Sequence, residues 1–309
     1  MDNSNEVLKW LEQLSNEKIA IKNSPENSIG RAFLNYWSKI KKGDFKGLSK
    51  DVKDYKATKK IRKRYFNHLD RPEVDSNQVN INEAKIAIYT CVLGGYDQIP
   101  DHLPDFDNAD YFLLTDQPEN YEFLSDRFEI IPLDESHLNL GNILANRYAK
   151  FHPAEFFKDR YDYAIYLDGN VRVMADIRKM VKRVPVQTGI AMHNHRERDD
   201  IFSEAESCKL LRRGDPDKID LQMTRYKSAG FPAHFGMNEA TVIVSDLKNE
   251  KSVELLELWW QEFIKSESFR DQLAWPFVLW ENNLMIEDIG NLGNDIYKNP
   301  LVEIERHAS

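Results

Sequence analysis

The chain has 309 residues, 41% hydrophobic and 30% charged, with a formal net charge of −9. These values suit a soluble protein built as one large α/β domain plus an appendage. No run of about 18 apolar residues occurs, which excludes a predicted membrane span. Met1 to Glu6 lack the basic and apolar regions of a signal peptide, so a cytoplasmic setting is expected. The two cysteines, Cys91 and Cys208, fall in a strand-like and a helix-like pattern and read as reduced thiols.

Residues 1–80 predict a helical, basic N-terminal region. Val7, Leu8, Trp10, Leu11 and Leu14 share one helical face, and Ile29, Phe33, Trp37 and Ile40 repeat at core spacing. Residues 39–64 then carry twelve Lys or Arg against three Asp, in a chain that is otherwise acidic. A solvated helix face, a peripheral contact with the inner face of a membrane, and a polyanionic partner all stay open for this stretch. Nucleic acid is not expected, because the stretch has few aromatics and the rest of the chain would repel phosphates. The breaker-rich segment from Arg71 to Asn77 places the boundary near residue 80, with a second domain over 81–309.

The texture then alternates. Strands are predicted over 85–92, 110–116, 128–132, 162–168, 188–193 and 239–245. Helices are predicted over 142–157, 201–213, 215–229, 252–265 and 273–280. The alternation argues for a largely parallel sheet covered by helices on both faces. Ligands bind such sheets at the C-terminal strand ends. Those ends carry Asp97, Thr115-Asp116, Asp168-Gly169-Asn170 and His193-Asn194-His195.

Tyr166-Leu167-Asp168-Gly169-Asn170 is the strongest local signal. A strand end that offers oxygen donors on alternate residues suits a hard divalent cation, Mn2+ or Mg2+, and an Asx turn uses the same residues. Arg147 and Lys150 lie three apart on one helix face, where they either clamp a phosphate or face solvent. Asp271 reads as a helix-capping residue or a site residue, and Glu239 as a strand-start carboxylate able to bind hydroxyls. His193 and His195 lack a third ligand at zinc spacing, so substrate contact through His195 or Arg196 is the better reading. There is no nucleophile elbow, P-loop or dinucleotide fingerprint.

Taken in order, five segments resemble GT-A glycosyltransferases. They are Thr90 to Asp97, Phe112 to Asp116, Arg147 to Lys150, Tyr166 to Asn170, and Arg270-Asp271-Gln272. More closely, the stretch from Lys85 to Trp280 resembles the glycosyltransferase-like domains of plant mucilage- and pectin-related proteins and of bacterial polysaccharide loci. The resemblance implies a GT-A-like α/β fold with a mixed, mostly parallel sheet. It implies a nucleotide-sugar donor, UDP-linked by default, a glycan acceptor, and a role in surface polysaccharide synthesis. It assigns Thr90, Gly95, Asp97, Thr115 and Asp116 to the nucleoside, and Arg147, Lys150, Asp168, Gly169 and Asn170 to the diphosphate and sugar.

Asp271-Gln272 resembles the pair against the donor sugar in retaining, glycogenin-like transferases, and Glu239 falls on their acceptor-side strand. His307 resembles a late histidine that completes a metal shell with Asp168 and Asn170. The Asn at 170, where the general signature has Asp, is a departure that weakens metal binding. A catalytically silent glycan-binding member, a nucleotidyl- or phosphosugar-transferring enzyme, and a hydrolase of lipid-like substrates stay as alternatives.

Overall fold

The computed structural model describes residues 79–95, 99 and 103–305. The helical region expected over 1–80 lies outside the described residues except for its last two, and so do Asp97 and His307.

Strands β1 (Ile86–Val92), β2 (Ala109–Thr115), β3 (Phe128–Pro132) and β4 (Tyr163–Leu167) come first. Helices α1 (Glu135–Leu138), α2 (Asn142–Phe151) and α3 (Pro153–Phe157) lie between β3 and β4. The chain continues through β5 (Val171–Val173), β6 (Ile190–Asn194), α4 (Ile201–Leu210), α5 (Pro216–Ala229) and β7 (Asn238–Asp246). It ends with α6 (Glu250–Ser266), α7 (Asp271–Glu281), β8 (Gly290–Asn291) and β9 (Val302–Ile304).

Seven strands form one sheet in the order β3-β2-β1-β4-β7-β6-β8, and β5 pairs with β9 in a separate two-stranded ribbon. β1 runs parallel to β2 and β4, and β2 to β3, while β7 runs antiparallel to both β4 and β6. This is the mixed, mostly parallel, GT-A-like sheet that the sequence predicts. β1 and β4 are buried along their whole length, which explains why both read as continuous apolar runs without alternation.

Both faces are covered, but unequally. Helices α2 to α7 pack on one face, around Tyr89, Phe112, Trp259, Trp275 and Phe277. The other face is covered by 3-10 turns over 118–124 and 177–183 and by the β5–β9 ribbon, around Ile88, Leu113, Ile165 and Val244. The helix expected over 142–157 is two helices. Pro153 has no N–H for the ladder, so α2 stops at His152 and α3 begins at the proline. α5 follows its sequence signals closely: Asp215 caps the first amides, Pro216 opens the first turn, and Gly230 closes the helix at φ 91°. No helix among the described residues is long and apolar enough to cross a membrane. Cys91 and Cys208 are both free and buried, and burial pushes each thiol up to about 12.

Candidate active site

The sheet brings the ends of β1 and β4 to one edge, and antiparallel β7 begins at that same edge. The Asp168 amide donates to the Thr241 carbonyl at 3.0 Å, locking the end of β4 to the start of β7. A cleft of about 740 Å³ opens there, within the usual range for small-molecule sites. Among the expected residues, Arg147, Lys150, Asp168, Gly169, Asn170, Glu239, Asp271 and Gln272 line it. These come from α2, the β4 end, β7 and α7, and only the fold unites them.

At the centre lies a buried ion network. Lys150 is 2% exposed, and its Nζ donates to Asp271 Oδ2 at 2.9 Å and lies 3.5 Å from Asp168 Oδ1. Arg147 Nε sits 3.0 Å from the same Asp271 oxygen. Burial alone would raise the Asp271 carboxyl, but Lys150, Arg147 and Arg270 outweigh it and hold the group well below the usual carboxylate range. Asp271 therefore stays ionised at any working pH.

Its position is fixed by large buried side chains. The Trp259 indole donates to the Asp271 carbonyl at 2.9 Å, the Trp275 indole to Asn238 Oδ1 at 3.1 Å, and the Tyr89 hydroxyl to the Lys150 carbonyl at 3.0 Å. Across the cleft, Glu239 Oε1 accepts from Gln272 Nε2 at 2.5 Å and from the Thr241 hydroxyl at 3.1 Å. That bond fixes the Gln272 amide and leaves its carbonyl oxygen available.

The other expected residues stand around this cleft. Gly94 and Gly95 follow β1 with φ of 64° and 65°. A Cβ at Gly94 would come within 2.8 Å of the Asn142 amide, so the loop needs glycine there. Asp116 accepts the Gly94 amide at 3.0 and 3.2 Å and thus holds this loop. Thr115 is fully buried and its hydroxyl accepts from the Gln117 amide, so it offers nothing to the cleft.

Thr90 points to the opposite side of β1 from Tyr89 and Cys91. Its buried hydroxyl has no hydrogen-bond partner and faces a small cavity shared with Asp168 and Gly169. His195 stands one layer behind Glu239. Its Nδ1 accepts the Glu197 and Arg198 amides, so Nε2 carries the proton, 3.9 Å from the carboxylates of Glu204 and Glu239. The Arg196 guanidinium lies 4.3 Å over the ring of Tyr297, an exposed residue on the cleft wall.

Arg213, Arg270, Asn146 and Tyr297 also line the cleft, and the sequence reading did not select them. Arg270 was the nearest to legible, as the first residue of the Arg-Asp-Gln tripeptide. Arg213 lies in the connection between α4 and α5, and no local pattern marks it.

A protein-held Mn2+ or Mg2+ favours carboxylate oxygens in surplus over nearby cations. Here the strand end supplies one carboxylate, Asp168, already beside Lys150, and one neutral amide. The Asn170 Nδ2 donates to the Glu305 carbonyl at 2.8 Å, and the Asn170 carbonyl accepts the Glu305 amide at 2.8 Å. No group of three His, Cys, Asp or Glu among the described residues is arranged to hold a metal. The described residues do not fit a resident divalent cation.

Residues 151–307 match the family model for the TOD1/MUCI70 glycosyltransferase-like domain, half of the chain. The chain belongs to the TOD1/MUCI70 glycosyltransferase-like family. The match spans Asp168, Asn170, Glu239, Asp271 and Gln272, while Gly94, Arg147 and Lys150 precede it.

No curated protein matches the chain. Solved structures give distant likenesses. Mouse xyloside xylosyltransferase 1 in its apo form is 10% identical over 68% of this chain and 84% of that one, with a TM-score of 0.40. The apo-form glycosyltransferase GlyE of Streptococcus pneumoniae TIGR4 is 13% identical over 71% of this chain and 54% of that one, with a TM-score of 0.41. The galactosyltransferase LgtC, in complex with donor and acceptor sugar analogs, is 14% identical over 61% of this chain and 68% of that one, with a TM-score of 0.38. The chain thus spans about half the length of GlyE. These likenesses are too distant to bear on residue roles.

Proposed function

We propose that this domain transfers a sugar from a nucleoside diphosphate donor, UDP-linked by default, to a hydroxyl on a glycan. The observation that carries this reading is the single cleft that gathers Arg147, Lys150, Asp168, Glu239, Asp271 and Gln272 at the ligand-binding edge of the sheet. Arg147 and Lys150 stabilise the departing diphosphate. Asp271 does not shuttle protons, because three cations hold it ionised. It positions Lys150 and Arg147. Gln272 faces the reacting sugar through the oxygen its bond to Glu239 leaves open, and Glu239 binds hydroxyls.

Transfer with retention suits this arrangement, since the leaving phosphate can take the acceptor proton and no strong protein base is needed. The Thr90 hydroxyl and the loop held by Asp116 take the nucleoside. Synthesis of a surface polysaccharide on the cytoplasmic side of a membrane, with residues 39–64 as a peripheral contact, is the setting this reading favours.

Thermal denaturation with a panel of nucleoside diphosphates and their sugars tests it. A true donor at a hundredfold excess over its Kd adds about 2.7 kcal/mol of stability. Stabilisation by no nucleotide would sink the proposal. Asn170, which offers an amide bound to Glu305 in place of a second carboxylate, favours one other reading: a domain that binds nucleotide sugar without turnover. Donor binding with no release of nucleotide from any donor and acceptor pair would select it.

A further inference from the structure

The cleft carries more positive charge than its carboxylates neutralise. Arg147, Lys150, Arg213 and Arg270 line it, against Asp168, Glu239 and Asp271. Four cations against three carboxylates leave a surplus of one positive charge, and Asp271 alone sits among three of the four cations. The Arg270 Nε is buried and has no hydrogen-bond partner. Its stem packs against Gly214, where a Cβ would come within 3.2 Å of Arg270 Cγ and 2.6 Å of the Ser268 carbonyl. The backbone therefore approaches closely enough to hold Arg270 in place beside the cleft.

Two helices also begin at the cleft. α2 starts at Asn142 after Gly141, which caps none of its first amides with a side chain, whereas at α7 the Asp271 Oδ1 already accepts the Gln272 amide at 2.9 Å. The start of α2 therefore carries partial positive charge and open N–H groups. A dication at the β4 end would add two positive charges beside Lys150, on the single carboxylate that Lys150 already offsets. A diphosphate brings the negative charge that the cleft lacks.

We propose that the donor diphosphate is held without a divalent metal, by Arg147, Lys150, Arg213 and Arg270 together with the start of α2. This rests on the transferase reading above. Asp168 then serves as a partner that orients Lys150, and the Asn at 170 follows from its having no ion to ligate. Arg213 and Arg270 become donor-binding residues, and for Arg213 nothing in the local sequence signals it.

The test is calorimetric titration of the full chain with UDP, once after exhaustive chelation with EDTA and once with Mn2+ added. The expected result is a Kd that agrees within about threefold between the two conditions, with Arg213→Ala and Arg270→Met each weakening UDP by about tenfold in both. Arg213 is exposed, so its replacement tests the cradle even where the Arg270 variant fails to fold. UDP binding that appears only with Mn2+ overturns this inference and leaves the transferase reading intact. So does unchanged UDP affinity in Arg213→Ala. Absence of UDP binding in both conditions overturns the UDP-linked form of the transferase reading, and this inference with it.

Discussion

His193 gives a sharp test of the fold around the site. It lies fully buried in β6, where its Nε2 accepts from Asn299 Nδ2 at 2.8 Å. The ring is therefore neutral, with its proton on Nδ1. Burial pulls its pKa down from 6.5 to about 4, against the opposing charge of Asp295. The folded value lies below the unfolded one, so the unfolded chain takes up the proton first as pH falls. The stability tied to a neutral His193 is present above pH 6.5 and drains away as pH drops towards 4. Each pH unit in that window is worth about 1.4 kcal/mol, so the full window is worth about 3 kcal/mol.

His193→Gln keeps an acceptor for Asn299 and removes the titration. In urea unfolding at about pH 7.5 and about pH 5, the parent chain should lose about 2 kcal/mol more than the variant. Parallel losses in the two proteins would refute the argument that burial holds this histidine neutral.

Three further outcomes are expected. Gly290→Ala places a Cβ 2.0 Å from the Arg183 carbonyl and 2.7 Å from Ala191 Cβ, so thermal unfolding should show a loss of about 3 kcal/mol or more. Thr90→Val removes a buried hydroxyl without a partner, and should leave the free protein equally stable or up to about 1 kcal/mol more stable by urea titration. The same change should weaken UDP binding measurably if that hydroxyl serves the nucleoside. Asp271→Asn leaves Lys150 and Arg147 without their shared carboxylate, so unfolding should report a loss of about 3–5 kcal/mol and transfer should fall sharply in kcat.

How far the sequence shows all this depends on where the information sits. Where a segment is buried on both faces, as in Ile86–Val92 and Tyr163–Leu167, the apolar run itself marks the strand. Where caps are local, as at Asp215, Pro216 and Gly230, both ends of the helix are legible. β5, β8 and β9 escape because two or three residues carry no period.

Lys150 looks like half of a solvated pair when only Arg147 is in view. Its burial is decided by Asp168 and Asp271, the latter 121 residues away. Arg213 and Arg270 line the same cleft from separate segments, which no spacing rule captures. Thr115 and Asp116 occupy the right strand end, but Thr115 spends its hydroxyl on the Gln117 amide and Asp116 its carboxylate on the Gly94 amide of the loop after β1.

Strand β7, the one antiparallel member of the main sheet, has a consequence for how such a cleft diversifies. The parallel strands reach the cleft through the loops that follow them, and loops accept insertions and deletions with little cost to the core. β7 reaches it with strand residues, Glu239 to Thr241, tied to the sheet at both ends: Glu239 pairs with His193 of β6, and the Thr241 carbonyl accepts the Asp168 amide. One wall can therefore be remodelled by changing loop length, and the other only by exchanging single side chains. Relatives that differ in donor are expected to differ in length after β1 and β4. Relatives that differ in acceptor are expected to keep their length there and to differ at positions 239 and 241.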